Sequence, residues 1–451
     1  MEQNGVIQPP AAVLEVLDRL ESAGFQAWCV GGCVRDSLLG KTPFDWDVTT
    51  NARPEETKAC FPGARLVEIG AAHGTIALVP ENGHPIEITT YRADGTYSDS
   101  RHPDSVSFSR RLEDDLARRD FTVNAMAYHP RRGLVDLFQG REDLEQGILR
   151  CVGEPVRRFS EDALRILRCL RFASQLGFAI EPSTAAALWE RRGLLLALSQ
   201  ERVREELTKL LCGENAEAVL REYAEVVFTV LPELAPMKGC AQETPFHCYD
   251  VWEHTLHALS HAPRQPDLRW AALLHDGGKP GKKTFSADGR AHFYGHPPES
   301  GRIARQVLSR LRFSNRQRDW VANLVDHHED AIPMKEPSLK KLLGAYGEKF
   351  VFTLFDLMEA DMSAKAPGVF ERRLPDLEKS RQLAKAILQR GDCLTLRDMA
   401  FSGDDLKALG VPAGPELGNL LGQLFEAVQR GQVENRRPAL EALARQLLGL
   451  S

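Results

Sequence analysis

The chain has 451 residues, is 43% hydrophobic and 27% charged, and carries a formal net charge of -6. It is too long for a single core, and about two to four domains are expected. The negative balance excludes a globally basic coat, so any polyanion must be held by local Arg and Lys clusters. No apolar run approaches a membrane span. Nine scattered cysteines with no C-x-x-C pair, and no signal peptide, predict free thiols in a reducing cytoplasm.

Apolar spacing predicts a helix over 11–23, ended by Gly24, then a strand at Ala27–Val30 running into Gly31-Gly32. Two glycines let a backbone approach a phosphate closely, and Arg35 offers it a forked contact. A helix is expected from Val34–Leu39. Next comes Asp45-Trp46-Asp47. On a strand, that spacing turns both carboxylates to one face. They repel unless a cation sits between them, and Mg2+ suits such a site. As an acid at a solvated site, Asp47 should be removable without a change in thermal stability. Pro54–Phe61 reads as a helix, and Arg65–Ile69, Gly74–Val79 and Ile86–Tyr91 read as strands. The order predicts a small mixed sheet flanked by helices. Glu87 stands on the last strand. Residues 92–111 have loop composition.

Farther along stand Arg118-Arg119-Asp120-Phe121-Thr122-Val123-Asn124 and then Arg157–Phe172. In the second stretch Ser160 is the expected helix cap, with Glu161 and Asp162 at the positive helix start. Asp162, Arg165, Arg168 and Arg171 recur every three residues as a drifting stripe opposite Leu164 and Leu167. A carboxylate accepts from the exocyclic amine of C or A, and an arginine donates to the ring acceptors. G and U present a carbonyl and a ring N–H instead, so such a pair favours C and A. Residues 182–235 read as helices. The alternating charges of Glu201–Leu211 predict a solvated face.

Gly-Gly-x-Val-Arg-Asp-x-Leu-Leu-Gly, a short spacer and Asp-x-Asp together resemble the head of the class II tRNA nucleotidyltransferase and bacterial poly(A) polymerase family, a branch of the polymerase-β-like nucleotidyltransferases. Trp46 departs mildly, since the family more often has a smaller apolar residue there, and its side chain should face away from the metal. The resemblance implies that Asp45, Asp47 and Glu87 are catalytic, with Asp45 and Asp47 holding Mg2+. It implies that Gly32, Arg35, Arg119, Arg168 and Arg171 hold the nucleotide, that Asp162 and Arg165 read the base, and that Asp120 and Asn124 order the site. The loop at 92–111 would readjust the site before the last nucleotide.

Nine of the thirteen histidines fall within 240–365. Val251-Trp252-Glu253-His254-Thr255 and Leu274-His275-Asp276-Gly277-Gly278-Lys279 resemble the all-helical HD phosphohydrolase superfamily. This implies His254, His275, Asp276 and Asp361 as ligands of a second divalent metal (Mn2+, Ni2+, Co2+ or Fe2+). His296, Glu299 and His327 are candidates to extend the site. Gly414-Pro415-Glu416-Leu417-Gly418 and the apolar positions after it resemble the family's tRNA-holding tail.

The expected fold class is α+β, with a small mixed-sheet nucleotidyltransferase head at 1–150. An all-helical neck at 151–235, an HD domain at 240–365 and a helical tail at 366–451 follow. The implied function is addition of C, C and A to tRNA 3′ ends from CTP and ATP. The implied partners are tRNA, ATP and CTP, with no membrane and no protein partner, in the cytoplasm. The alternatives are a poly(A) polymerase, an A-adding tRNA enzyme, and an HD phosphohydrolase whose head only binds nucleotides.

Overall fold

The computed structural model describes residues 6–70, 74–81, 83–94 and 106–450. The chain divides into two compact units, Met1–Pro232 and Glu233–Ser451.

The first unit opens with α1 (Ala11–Ser22), β1 (Ala27–Val30), α2 (Gly32–Leu38), β2 (Asp47–Thr50) and α3 (Pro54–Cys60). β3 (Leu66–Gly70), β4 (Thr75–Leu78) and β5 (Ile86–Thr90) follow. After β6 (Arg92–Asp94), β7 (Val106–Phe108) and α4 (Leu112–Ala117) come β8 (Met126–His129), β9 (Gly133–Asp136) and α5 (Gly140–Gln146). Seven strands form one mixed sheet in the order β3-β4-β5-β2-β1-β8-β9. β2 and β5 run parallel, and their register sets Asp47 opposite Glu87. In β5 the residues alternate: Ile86 and Ile88 are buried while Glu87 is exposed, as a half-covered strand requires. Trp28, Val30, Tyr91, Leu116 and Ala127 form a buried cluster behind this sheet.

Two expectations change here. Asp45 lies in a bend before β2, so the two aspartates do not share a strand. Pairing with β1 begins only at Cys29–Val48, just past the Pro43 segment, and a proline cannot donate to a strand ladder. The stretch 92–111 is not loop throughout, because β6 pairs antiparallel with β7. The segment joining those two strands, on which the readjusting-loop expectation falls, lies outside the described residues.

The remainder of the first unit contains β10 (Ile148–Leu149), α6 (Pro155–Glu161), α7 (Leu164–Leu176) and β11 (Ala179–Ile180), then α8 (Pro182–Arg191), α9 (Gln200–Leu211), α10 (Ala216–Glu222) and α11 (Ala224–Val230). β10 pairs parallel with β11, and α7 packs along α9. Ser160 does not cap a helix. It lies inside α6, donating back to the Val156 carbonyl at 2.7 Å. Pro155 supplies the fixed φ that starts α6 early, and the Glu154 side chain caps it by accepting from the Val156 and Arg157 amides. Asp162 then sits in the break, where its Oδ1 accepts from the Leu164 amide at 3.0 Å.

The second unit is almost entirely helical. It contains α12 (Val251–His261), α13 (Pro266–Leu274), α14 (Lys279–Lys282), the short pair β12 (Thr284–Phe285) and β13 (Ala291–His292), α15 (His296–Arg310) and α16 (Asn315–His327). α17 (Glu336–Tyr346), α18 (Glu348–Ser363) and α19 (Val369–Gln389) follow, then α20 (Gly403–Ala408), α21 (Pro415–Gln429) and α22 (Arg437–Leu448). The tail has its own small core, in which Leu420, Leu424 and Val428 of α21 meet Leu406 and Leu440. Among the described residues no helix is long and apolar enough to cross a membrane.

Candidate nucleotide pocket and metal-donor cluster

The turn after β1 is built around Gly31. Its φ of +81° is readily available only to glycine. A Cβ there would stand 3.1 Å from Arg119 Nη1, so the missing side chain is also what admits the guanidinium. Arg119 is held from behind. Its Nη2 donates to Asp115 Oδ2 at 3.1 Å, and Asp115 also takes Arg118 at 2.6 Å and the Thr49 hydroxyl at 3.1 Å. Thr49 stands two residues after Asp47 on β2, hence on the same face. The strand therefore orients both the acid and, through fully buried Asp115, the arginine beside it.

Burial pushes the Asp47 carboxyl up to about 6. The neighbouring Glu87 and Asp45 charges add to this, and Arg119 offsets only part. Asp47 is half-buried. Ionising it here is costly, and a cation among three carboxylates would remove that cost. An all-oxygen donor set of this kind fits Mg2+. Trp46, between the two aspartates, is buried and lines a cavity with Val13 and Ile86.

Arg119 also lines a neighbouring cavity of about 260 Å³, together with Arg118, Asp120, Asp162, Leu164, Arg165, Arg168 and Arg202. Asp120 is buried. It accepts from Arg168 Nε at 2.8 Å and from Asn124 at 3.2 Å, and Arg168 outweighs the burial to hold it at about 2. Arg165 donates to the Arg158 carbonyl at 3.0 Å, Glu161 at 2.9 Å and the Arg118 carbonyl at 2.9 Å. Asp162 is paired with Arg202 rather than with Arg165. Arg35 lies outside the cavity lining, bonded to Asp36 at 2.8 Å and Asn124 at 2.7 Å, with its guanidinium 5.1 Å from the Phe172 ring centre. Gly32 opens α2.

Arg171 does not face the cavity. It is 7% exposed, bonds Glu206 of α9 at 3.2 Å, and burial lowers it to about 10. A three-residue repeat falls about 60° short of a full turn at each step. On α7 the stripe that begins at Arg165 has therefore rotated against α9 by Arg171. Arg202, expected on a solvated face, turns into the cavity for the same reason seen from α9: α7 packs against it. Arg118, Asp115 and Arg202 were missed in the sequence. The charge alternation around Arg202 gave no sign of its partner.

In the second unit, His254, His275, His296 and His328 present Nε2 toward two carboxylates. His254 Nε2 lies 3.0 Å from Asp361 Oδ1, 3.3 Å from His275 Nε2 and 3.4 Å from Asp276 Oδ2. His275 Nε2 is 3.3 Å from the same Asp276 Oδ2. His296 and His328 face the other oxygen, Oδ1, at 3.2 and 3.6 Å. Each ring is aimed from behind. The four Nδ1 atoms lie 2.7 to 3.1 Å from the carbonyls of Ala364, Ala272, Phe293 and Val325, which fixes the tautomer that leaves Nε2 free to bind a metal. Burial holds His254 below its ordinary value. Burial also opposes charge on His275, but Asp276 and Asp361 outweigh it and raise that group. Buried Lys279 and Lys365 each lie 2.7 Å from Asp276 and Asp361, respectively.

Three donor groups in this cluster have their ligand atoms within 4.8 Å of one another: His254/His275/Asp361, His275/Asp276/His328 and His296/His328/Glu329. Among the described residues the head carboxylates form no group that tight. Among the described residues Asp276 Oδ1 and the Nε2 atoms of His296 and His328 are buried without a hydrogen-bond partner, as expected of atoms directed at an ion, while Asp276 Oδ2 faces the Lys279 ammonium. The expected extension through Glu299 and His327 is corrected to His328 and Glu329. Glu299 pairs with Arg302 at 2.7 Å, and His327 turns to Asp330 and Tyr346. Adjacent helical residues point about 100° apart, so only one of His327 and His328 can face the cluster. Gly278 closes the site. A Cβ there would lie 2.6 Å from the Ser300 amide and 2.7 Å from the His296 carbonyl.

Family models match three stretches: a poly A polymerase head domain over 27–150, a probable RNA and SrmB-binding site of polymerase A over 177–237, and an HD domain over 246–366. The chain is 35% identical to a CCA-adding enzyme of Levilactobacillus brevis, with 95% of each chain covered. It is also 35% identical to one of Streptococcus mutans, covering 95% of this chain and 94% of that one. The solved CCA-adding enzyme of Bacillus stearothermophilus, in complex with CTP, superposes with a TM-score of 0.75 at 30% identity over 98% of both chains. With its mixed-sheet head, its arginine-lined cavity and this likeness along its whole length, the chain belongs to the CCA-adding enzyme family of nucleotidyltransferases.

Proposed function

We propose that the protein adds C, C and A to tRNA 3′ ends from CTP and ATP in the cytoplasm, releasing pyrophosphate. The observation that carries this is the double role of Arg119. It lines the cavity holding Asp162, Arg165 and Arg168, and its charge acts on the Asp47 carboxyl. A nucleotide seated against the arginines would thus have its triphosphate beside the head acids. Asp45, Asp47 and Glu87 would hold Mg2+, which when bound supplies activation of the attacking 3′-hydroxyl and charge stabilisation at the leaving pyrophosphate. Arg119 and Arg168 contact the nucleotide, with Gly32 at the turn and Arg35 bracing Asn124. Asp162 accepts from the exocyclic amine and Arg165 donates to the ring, while Arg171 supports the wall through Glu206. Residues 1–150 act as the head, 151–235 as the neck, 240–365 as the HD domain and 366–451 as the tRNA-holding tail.

The test is a tRNA transcript lacking its 3′ CCA, with products sized. CTP with ATP should give three added nucleotides and then arrest, and CTP alone should give two. The head and RNA-binding models are named for poly(A) polymerase, which keeps a second polymerising reading in view. A long A ladder from ATP alone would establish it, and addition of A only to tRNA ending in CC would mean an A-adding enzyme.

For the second unit we propose divalent-metal-dependent hydrolysis of a phosphomonoester or phosphodiester. His254, His275, Asp276 and Asp361 would hold a Mn2+, Ni2+, Co2+ or Fe2+ ion, with His296, His328 and Glu329 beside it. His275→Ala should abolish hydrolysis and spare nucleotide addition. If the purified protein retains no metal and none restores hydrolysis, this reading falls.

A further inference from the structure

The two lysines of the metal-donor cluster are not equivalent. Lys279 bonds Asp276 Oδ2 at 2.7 Å and also Gln242 Oε1 at 2.9 Å. Lys365 follows α18. Its side chain is 7% exposed and its ammonium lies 2.7 Å from Asp361 Oδ2. The other oxygen of that carboxylate, Oδ1, lies 3.0 Å from His254 Nε2. Among the described residues the Lys365 ammonium has no second acceptor. An ammonium carries three N–H donors, so donors remain for a ligand in the cavity that Lys365 lines. That cavity, of about 270 Å³, is bordered by the metal donors Asp361, His328 and Glu329. Arg373 of α19 borders it too. It is exposed and, among the described residues, has no carboxylate partner. Asp330, at the same wall, is already taken by His327 at 2.6 Å.

We infer that Lys365 and Arg373 form a subsite beside the donor cluster for the phosphoryl group of a phosphomonoester. The inference rests on the reading of this cluster as a hydrolytic metal centre. A monoester dianion has three non-bridging oxygens. One is left for the ion, one meets the Lys365 ammonium and one the Arg373 guanidinium, the last two as charge-assisted contacts. A diester has only two such oxygens and a single charge, and leaves one of the three cations unmatched. Asp361 serves both sides of the site. Its Oδ1 is directed at the histidines, and its Oδ2 anchors the ammonium that meets the substrate. Ile332 and Met358 line the same cavity and offer an apolar wall to the alcohol part of the ester. Lys365 is fixed before the substrate arrives. Arg373 holds no metal donor, so its contribution is to substrate affinity.

The experiment uses the full chain with Mn2+. The probes are p-nitrophenyl phosphate, bis(p-nitrophenyl) phosphate and, by calorimetric titration, inorganic phosphate. The variants are Arg373→Ala and Arg373→Lys, at an exposed position that folding does not depend on. The parent should turn over the monoester with the higher kcat/KM. Arg373→Ala should raise KM for the monoester roughly tenfold, with kcat within about threefold, and weaken phosphate binding by a similar factor, about the effect of losing one charge-assisted contact. Arg373→Lys should recover part of both, and the amount of bound metal should not differ between parent and variants. A parent that prefers the diester would overturn the inference. If the parent hydrolyses the monoester and Arg373→Ala changes neither KM nor phosphate affinity, the subsite alone falls. If no ion supports hydrolysis and Arg373→Ala still weakens phosphate binding, the hydrolytic reading falls and the subsite stands. If the parent neither hydrolyses the ester nor binds phosphate more tightly than Arg373→Ala, both fall.

Discussion

The cavity in the first unit and the donor cluster in the second hold their side chains in opposite ways. Around the cavity, the arginines are anchored to carboxylates and carbonyls: Arg119 to Asp115, Arg165 to the Arg118 and Arg158 carbonyls, Arg168 to Asp120. The charges there are numerous, partly wet and mutually braced. In the cluster, four imidazoles are each anchored through Nδ1 to a backbone carbonyl and turn their other nitrogen inward, toward Asp276 and Asp361. The first arrangement suits a ligand that is itself charged, changes at each step and must leave. The second suits an ion that stays, because the ligand atoms are fixed before it arrives.

The largest effect expected from this contrast lies at Asp47. If Asp47 holds Mg2+ as proposed, Asp47→Ala should cut nucleotide incorporation by at least about a thousandfold, since losing such a ligand forfeits several kcal/mol of transition-state stabilisation. Its stability should move the other way. Asp47 is raised to about 6 from a usual value of 3.8, so the folded state binds the proton more tightly and loses stability as pH rises between those values. In chelator, Asp47→Asn should therefore melt higher than the parent at pH 8, by about 1–3 kcal/mol, and show no such gain near pH 4. An unchanged melting temperature at pH 8 would return Asp47 to the class of solvated acids.

Next in size is Asp276→Asn. It leaves the buried Lys279 ammonium without its counter-charge, and an uncompensated buried ion costs about 3–5 kcal/mol. Calorimetry should show the loss in the second unit, together with loss of bound divalent metal. Survival of both would mean that Lys279 finds enough in Gln242, 2.9 Å away.

The two constrained glycines give a smaller and more local test. Gly31→Ala places a left-handed residue at φ +81° against Arg119, at a cost of about 1–2 kcal/mol, and should slow nucleotide addition while sparing metal retention in the second unit. Gly278→Ala collides with fixed backbone at His296 and Ser300 and should do the reverse. Crossed effects would contradict the placement of Gly31 and Gly278 at their respective sites.

The smallest effect separates the two ends of the arginine stripe. Arg168→Ala should raise nucleotide KM about tenfold. Arg171→Ala should leave KM nearly unchanged and lower stability by about 1 kcal/mol, since it acts on Glu206 and Phe172. Equal KM effects would put Arg171 back at the nucleotide.

Much of the local structure was legible in residue order. Ala27–Val30, Pro54–Cys60 and Ile86–Thr90 lie where apolar alternation and helical spacing put them, because those periods are set by covalent geometry. Gly31 and Gly278 are demanded by conformation or close approach, and both stand in motifs that marked them. The helix break at Asp162 was less legible, because Pro155 and Glu154 start a helix that the cap at Ser160 seemed to start.

By itself the sequence determined most element types, the Asp-x-Asp and His-Asp motifs, and the likeness that places this chain among nucleotidyltransferases. Only the tertiary structure decided which side chains meet. It set Asp47 opposite Glu87, gave Asp162 to Arg202, turned Arg171 away from the cavity, and chose His328 over His327. The physical reason is the same in each case. Helical rotation of about 100° per residue and the register of parallel strands convert a shift of one position into a different face, and packing between distant segments, which no local pattern encodes, selects that face.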